Sequence, residues 1–235
     1  MKTIAIQQPE HLPWLGFFNK MLRVDEYIFL DNVQFKKRYF ENRNKIISTD
    51  NSAGWDWITA PVVTKDRFTQ NINEVEIDYT QNWQAKYLNK IKWHYRKYEY
   101  FAEVFVEIEK IINRNFIKLL ELNIALIQFV REYLNINTPT VLASEICHGR
   151  GSDLILKLCK LRRADVYLSG PDGRNYLNLP EFQNLNIQVE YHDYAHPQYE
   201  QQYDKTTGNF ISHLSVLDLL FNCGRNSIEI LKINY

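Results

Sequence analysis

The stretch "AIQQPEHLPWLGFF", residues 5–18, holds the first side chain able to move a proton near neutral pH, His11, with Gln7 and Trp14 on either side of it. Two prolines and a glycine mark the segment as a loop rather than a core face. Asp31 ends a second apolar run, "EYIFLDNVQF", which also carries Gln34. In open α/β sheets, ligands gather beyond the carboxyl ends of the strands. If both runs are strands, Gln7, His11 and Asp31 share one rim. A carboxylate beside an imidazole fixes its tautomer and raises its basicity, which makes His11 with Asp31 a candidate general base. The competing reading is a histidine bonded to a backbone carbonyl for structure. The "HLPW" at 11–14 is similar to the HxGH element of nucleotidylyl transferases, which also follows a first strand and binds phosphates through two histidines. Here Trp14 replaces the second histidine and Pro13 the glycine, so adenylyl transfer is disfavoured.

Three further segments carry polar chemistry. "KKRYFENRNK", residues 36–45, contains the cations Lys36, Lys37, Arg38, Arg43 and Lys45 with Asn42 among them, a set suited to a diphosphate. A solvated basic turn would use the same residues. "YLSGPDGRNYL", residues 167–177, follows a strand-like run. Gly170 lets a ligand approach the backbone, and Ser169, Arg174 and Tyr176 can bond hydroxyls or phosphate, although a plain connecting loop has this composition too. "HLSVLDLLFNCG", residues 213–224, puts Ser215, Asp218 and Asn222 on one helical face. Asp218 is either a site carboxylate or a structural bridge to Arg43. Cys147, Cys159 and Cys223 fit neither a disulfide framework nor a zinc pattern, and none has a convincing base beside it. Asp31, Asp172 and Asp218 lack any diagnostic metal-ligand spacing, so no metal site is expected.

The elements that must position these groups follow from periodicity. "TIAIQ" reads as a buried strand, a helix begins after Pro13, and "EYIF" begins the next strand, a βαβ-like opening. Residues 39–63 alternate short apolar runs with turn residues, as a hairpin does. "INEVEID", residues 72–78, alternates like a half-exposed strand. Residues 81–135 read as a helical insertion, with Trp83, Tyr87, Ile91 and Tyr95 at steps of four. "TVLASEI" returns to strand, "SDLILKLCKLRRA" is a helix capped by Ser152 or Asp153, and "DVYLS" and "IQVEYHDY" are strands. "SVLDLLFNCG" is a short helix between a Ser215 cap and a Gly224 stop. The expectation is an α/β fold: a mostly parallel sheet flanked by helices, in one domain over 1–235.

Equal numbers of basic and acidic residues, 28 each, argue against a nucleic-acid partner. There is no signal-peptide h-region and no run of apolar residues long enough to span a membrane, so the expected location is cytoplasmic. Aromatics make up 14% of the chain, enough to offer rings to sugars or bases as well as to a core.

Taken together, "QQPEHLPWLGFFNKM", "DEYIFLDNVQFKKRYFENRNKI", "WITAPV", "ADVYLSGPDGRNYL" and "LSVLDLLFNCG" resemble, in order, the WbqC-like family of bacterial O-antigen and capsule gene clusters. The resemblance implies a cytoplasmic step on a nucleotide-linked sugar. The expected activity is transfer of an acyl or aminoacyl group from a thioester, on coenzyme A or an acyl carrier protein, to the amine of a nucleotide-linked amino sugar. No tightly bound cofactor is expected. His11 with Asp31 would be the base; Asn42 or amides near Gly170 would stabilise the oxyanion. Gln7, Trp14, Gln34, Arg43, Ser169, Arg174, Tyr176, Asp218 and Asn222 would bind substrate. The alternatives are a nucleotide-dependent transferase and a non-catalytic scaffold for nucleotide sugar or a glycosyltransferase.

Overall fold

The apolar run Thr3–Gln7 forms β1, the middle strand of a sheet in which every pairing is parallel. The computed structural model describes residues 1–202 and 209–233. On one side of β1 lie β2 (Glu26–Phe29) and β5 (Thr140–Leu142); on the other lie β6 (Val166–Ser169) and β7 (Gln188–Tyr191). The order is therefore β5-β2-β1-β6-β7. The chain runs outward from β1 in one direction, then returns to its other side. That reversal creates a switch point between β1 and β6.

Side-chain alternation divides the core between the two faces. Ala5, Tyr27, Phe29 and Leu168 pack against Phe17, Phe18 and Met21 of α1 (Leu15–Leu22). Ile4, Ile6, Ile28 and Tyr167 pack against Leu154 and Leu158 of α5 (Gly151–Leu161) and Phe182 of α6 (Leu179–Asn184). Central strands covered on both faces read as near-continuous apolar runs, as TIAIQ does. Between β2 and β5 the chain builds the antiparallel hairpin β3 (Arg43–Ile47) and β4 (Trp55–Thr59). It then adds α2 (Trp83–Tyr95), α3 (Phe101–Ile112) and α4 (Leu119–Tyr133), so the expected helical stretch forms. Trp83, Tyr87, Ile91 and Tyr95 are all buried, as their spacing requires. Ser215 caps α7 (Val216–Cys223) by accepting from the Leu217 amide, and Gly224 ends it at a positive φ of 53°. A last short helix, α8, spans Ser227–Leu231.

Three local expectations fail for identifiable reasons. "TVLASEI" is strand only over Thr140–Leu142; Ala143–Glu145 turns into a 3-10 helix in which the Ser144 amide donates to Asp31. Residues 72–78 form a 3-10 turn at Ile72–Glu74 and isolated bridges instead of a strand. Asn71 and Glu74 close a capping box there, and Ile72, Val75 and Ile77 all bury at uneven spacing. Neither Ser152 nor Asp153 caps α5. The helix starts one residue earlier at Gly151, with φ of 54°, and the Ser152 hydroxyl accepts from the Asn178 amide at 2.9 Å.

Candidate functional site

The loops leaving the carboxyl ends of β1, β2, β6 and β7 enclose a cleft of about 940 Å³ at the switch point. Its volume is that of a site for a nucleotide-sized ligand. Gln7, the last residue of β1, organises the floor. Its Oε1 accepts from Lys20 Nζ at 2.7 Å and from the Tyr27 hydroxyl at 3.2 Å. Its Nε2 donates to Glu10 Oε1 at 3.0 Å. Lys20 projects from α1, is 5% exposed, and forms no ion pair with any described carboxylate. Glu10 Oε2 is buried without a hydrogen-bond partner. Burial pushes the Glu10 carboxyl up to about 7, against the pull of Gln7 and Lys20. Burial pushes Lys20 down to about 8, against the attraction of Glu10. An acid and an amine that both titrate near neutral pH are the groups suited to exchanging protons there.

Aromatic rings form the walls. The Trp14 indole lies over Gly16 so closely that a Cβ there would sit 2.4 Å from it. Trp14 stacks on His213 at 5.5 Å between ring centroids and meets Tyr194 edge-on at 5.6 Å. His192 also lines the cleft, with Nε2 2.6 Å from Asn19 Oδ1. Because Asn19 Nδ2 donates to the Leu231 carbonyl, Oδ1 is the acceptor and His192 carries its proton on Nε2. Burial, reinforced by Lys20 and Arg23, pushes His192 down to about 3, so its ring is neutral.

The residues singled out from sequence divide sharply. Gln7, Trp14, Gly170 and Tyr176 line the cleft. His11 and Asp31 form no pair. His11 is fully buried, with Nδ1 2.8 Å from Asn123 Oδ1 and Nε2 2.8 Å from the Tyr87 hydroxyl. Asn123 Nδ2 donates to the carbonyls of Pro9 and Glu41, so Nδ1 of His11 is the protonated nitrogen. Burial pushes His11 down to about 4, and the neutral ring ties the β1 loop to α2 and α4. The comparison with HxGH is left without a histidine facing the cleft from this segment. Asp31 instead accepts from the Ser144 amide at 2.9 Å, the Ser144 hydroxyl at 2.6 Å and Asn73 at 3.2 Å.

The basic segment also splits. Lys36 reaches the cleft with Tyr39 and Phe40, but Arg43 and Lys45 enter β3, where period-two alternation turns them onto the hairpin's rings. The Arg43 guanidinium lies 3.8 Å from the Trp57 ring centre and donates to the Arg38 carbonyl. Asn42 donates to the Ala60 carbonyl at 3.0 Å, and Gln34 to that of Phe68 at 3.1 Å. Ser169 is buried beneath the cleft and bonds the Gly170 carbonyl at 3.0 Å. Arg174 pairs with Asp193 at 2.7 Å and stacks on Tyr191. Asp218 does not bridge to Arg43. It is buried among Tyr199, Gln201 and Asn222, at 2.7, 2.9 and 3.3 Å, and burial pushes it up to about 6. Asn222 further accepts from the Gln202 amide at 2.7 Å. Burial pushes the thiols of Cys147, Cys159 and Cys223 up, and none lines the cleft. Among the described residues, no group of three or more His, Cys, Asp or Glu side chains is arranged to hold a metal.

Glu10, Lys20, His192 and His213 are cleft residues that sequence pattern alone did not single out, whereas Lys36 is the one cation of the basic segment that reaches the cleft. A signal existed for one of them: Asn19 and Lys20 are the polar pair inside the apolar helix LGFFNKML, and both are buried. A buried lysine requires a reason.

These features define a doubly wound parallel α/β protein with an aromatic-walled cleft at its strand switch point. The chain belongs to the WbqC-like protein family, whose family model matches residues 8–230. It is 34% identical over 235 residues to the Mycobacterium tuberculosis protein named "Uncharacterized protein Rv1507c", an alignment covering 99% of this chain and 98% of that one. No solved structure matches significantly. No helix among the described residues is long and apolar enough to cross a membrane.

Proposed function

We propose that the cleft binds a nucleotide-linked amino sugar and that the protein transfers an acyl or aminoacyl group from a thioester to the sugar amine, a step in bacterial surface-polysaccharide biosynthesis. The observation that supports this is Glu10: a carboxyl in the switch-point cleft, raised to about 7, with one oxygen unpartnered. Glu10 takes over the role expected of His11. It accepts a proton from the sugar ammonium, and the freed amine attacks the thioester carbonyl. The Asp172 amide, at the start of the turn Pro171–Asn175 in the cleft lining, is assigned in this reading as the donor to the resulting oxyanion. The C–N bond forms and the C–S bond breaks. Glu10 returns its proton to the departing thiolate, and the second proton of the amine leaves to solvent. Lys36 and the rings of Trp14, Tyr39 and Tyr176 provide charge and stacking surface for the nucleotide.

The test is incubation of the purified protein with a panel of nucleotide-linked amino sugars and acyl thioesters, reading amide product by mass spectrometry. Product is expected, with turnover lost and nucleotide-sugar binding kept in Glu10→Gln. Absence of both product and nucleotide-sugar binding across the panel overturns the reading. Binding without product transfers support to the scaffold reading.

A further inference from the structure

Lys20 is more than the proposed acyl transfer requires. Long charged side chains are rarely this buried without a charged partner. Its Nζ has instead a neutral partner, the Gln7 amide oxygen at 2.7 Å, and no ion pair with a described carboxylate. The nitrogen faces the backbone of Gly170. A side-chain Cβ at that position would lie 3.4 Å from Nζ, so the glycine leaves the approach to the nitrogen open. Two proton carriers hang on the same glutamine: the Tyr27 hydroxyl on Oε1 and the Glu10 carboxyl on Nε2. A lysine nitrogen at the floor of a cleft, flanked by an acid and walled by rings, is arranged as a carbonyl-condensing amine is arranged.

We propose that Lys20 is a covalent anchor for an aldehyde or ketone bound in the cleft, with which its amine forms an imine. The neutral amine adds to the carbonyl carbon, forming a C–N bond and a carbinolamine. Glu10 in its acid form protonates the carbinolamine hydroxyl. Water leaves carrying that proton, the nitrogen lone pair closes the C=N bond, and the iminium keeps the amine's own remaining N–H while Glu10 is left as the carboxylate. No oxidant, reductant or further co-reactant is needed. The ligand class is a carbonyl compound with a ring-bearing body, since Trp14, Tyr167 and Tyr194 line the same cleft. This capture is independent of the acyl-transfer reading, which calls for an amine on the ligand rather than a carbonyl.

Burial provides the free base. A lysine pushed down to about 8 is neutral roughly 300-fold more often at pH 7 than one at its ordinary 10.5. The test uses the full-length folded protein with limiting pyridoxal as the probe and cyanoborohydride to trap the imine, followed by peptide mapping. Labelling of Lys20 at least tenfold above any other lysine is expected, with a pH midpoint near 8. Labelling that follows surface exposure, with Lys20 unmodified or modified only after unfolding in urea, overturns the proposal. Lys20→Met should lose the preferred label. Should that variant fail to fold, Glu10→Gln is the second check. Removing both the proton donor and the charge that holds the ammonium should slow the labelling, leave Lys20 the preferred lysine and move its midpoint below that of the wild type. An unchanged or raised midpoint counts against the arrangement.

Discussion

Glu41 offers the sharpest quantitative test of the electrostatics beneath the cleft. It lies just before β3, is 1% exposed, and neither carboxyl oxygen receives a hydrogen bond from another residue. Burial pushes it from its ordinary 4.5 up to about 7; its own backbone amide pulls the other way, and Glu10 adds to the rise. The folded protein therefore holds this proton to a higher pH than the unfolded chain does. Between 4.5 and 7 the native state binds more protons, so stability is complete below 4.5 and is lost as pH rises through 7. At about 1.4 kcal/mol per pH unit, the loss reaches up to about 3 kcal/mol. Glu41→Gln removes the titration while keeping the shape. Urea denaturation of both proteins at pH 4, 5, 6, 7 and 8 gives a difference curve in which every other titrating group largely cancels. That difference should be flat at the acid end and then grow in the variant's favour by up to about 3 kcal/mol by pH 8. A difference independent of pH would mean that Glu41 titrates as an exposed carboxyl, and the electrostatic account of this region would fail.

His11→Ala should cost about 2–5 kcal/mol in chemical denaturation, because Asn123 and Tyr87 lose buried partners and a cavity opens. A loss below 0.5 kcal/mol would show that the ring is not built into the core. On the acid side, His11, His192 and His196 have folded values below their unfolded ones, so stability should fall as pH drops from 6.5 to about 4 and each ring is forced to charge. His11→Ala should flatten that limb, and an unchanged limb would contradict the shift. Gly173→Ala places a Cβ 2.1 Å from Ser169 Oγ and should lower the Tm, with Ser169→Ala in the same chain recovering part of the loss. Equal melting of Gly173→Ala and wild type would refute that contact. Gln7→Met removes the bridge between Lys20 and Glu10 and should shift the pH profile of ligand binding. An unaltered profile would show that the bridge does not set their ionisation.

What the sequence revealed depended on how local each determinant was. Runs such as TIAIQ, the four-residue steps through α2, and Ser215 with Gly224 around α7 encode their own structure within a few residues. The loop after β1 was legible as a cleft wall for the same reason: a strand end, prolines and a glycine. The direction of its side chains was not legible. Leu12 adopts a φ of 44°, and His11 faces inward because Asn123 waits there, a partner 112 residues away. Its sequence neighbour Glu10 takes the cleft. Asp31 was lost in the same way, to Ser144, 113 residues on. For Arg43 and Lys45 the failure was one of register. A basic cluster read as a single patch was divided by the strand that begins inside it.

The arrangement of Gln7 explains how two opposite charges share a cleft floor and both stay near neutrality. A direct ion pair would favour the charged forms, driving the carboxyl down and the amine up, away from the range where either can give or take a proton at pH 7. Gln7 bonds each of them instead, its oxygen to Lys20 and its amide nitrogen to Glu10. The amide can serve both only in this orientation, because an ammonium must donate and an ionised carboxylate must accept. With the amide between them, burial outweighs their mutual attraction, and the two values converge toward about 7 and about 8. Gln7 belongs to the central strand and is fixed by the β1–β2 ladder. The rigid part of the fold thus sets the ionisation of the cleft, while the loops around it supply the rings that meet a ligand.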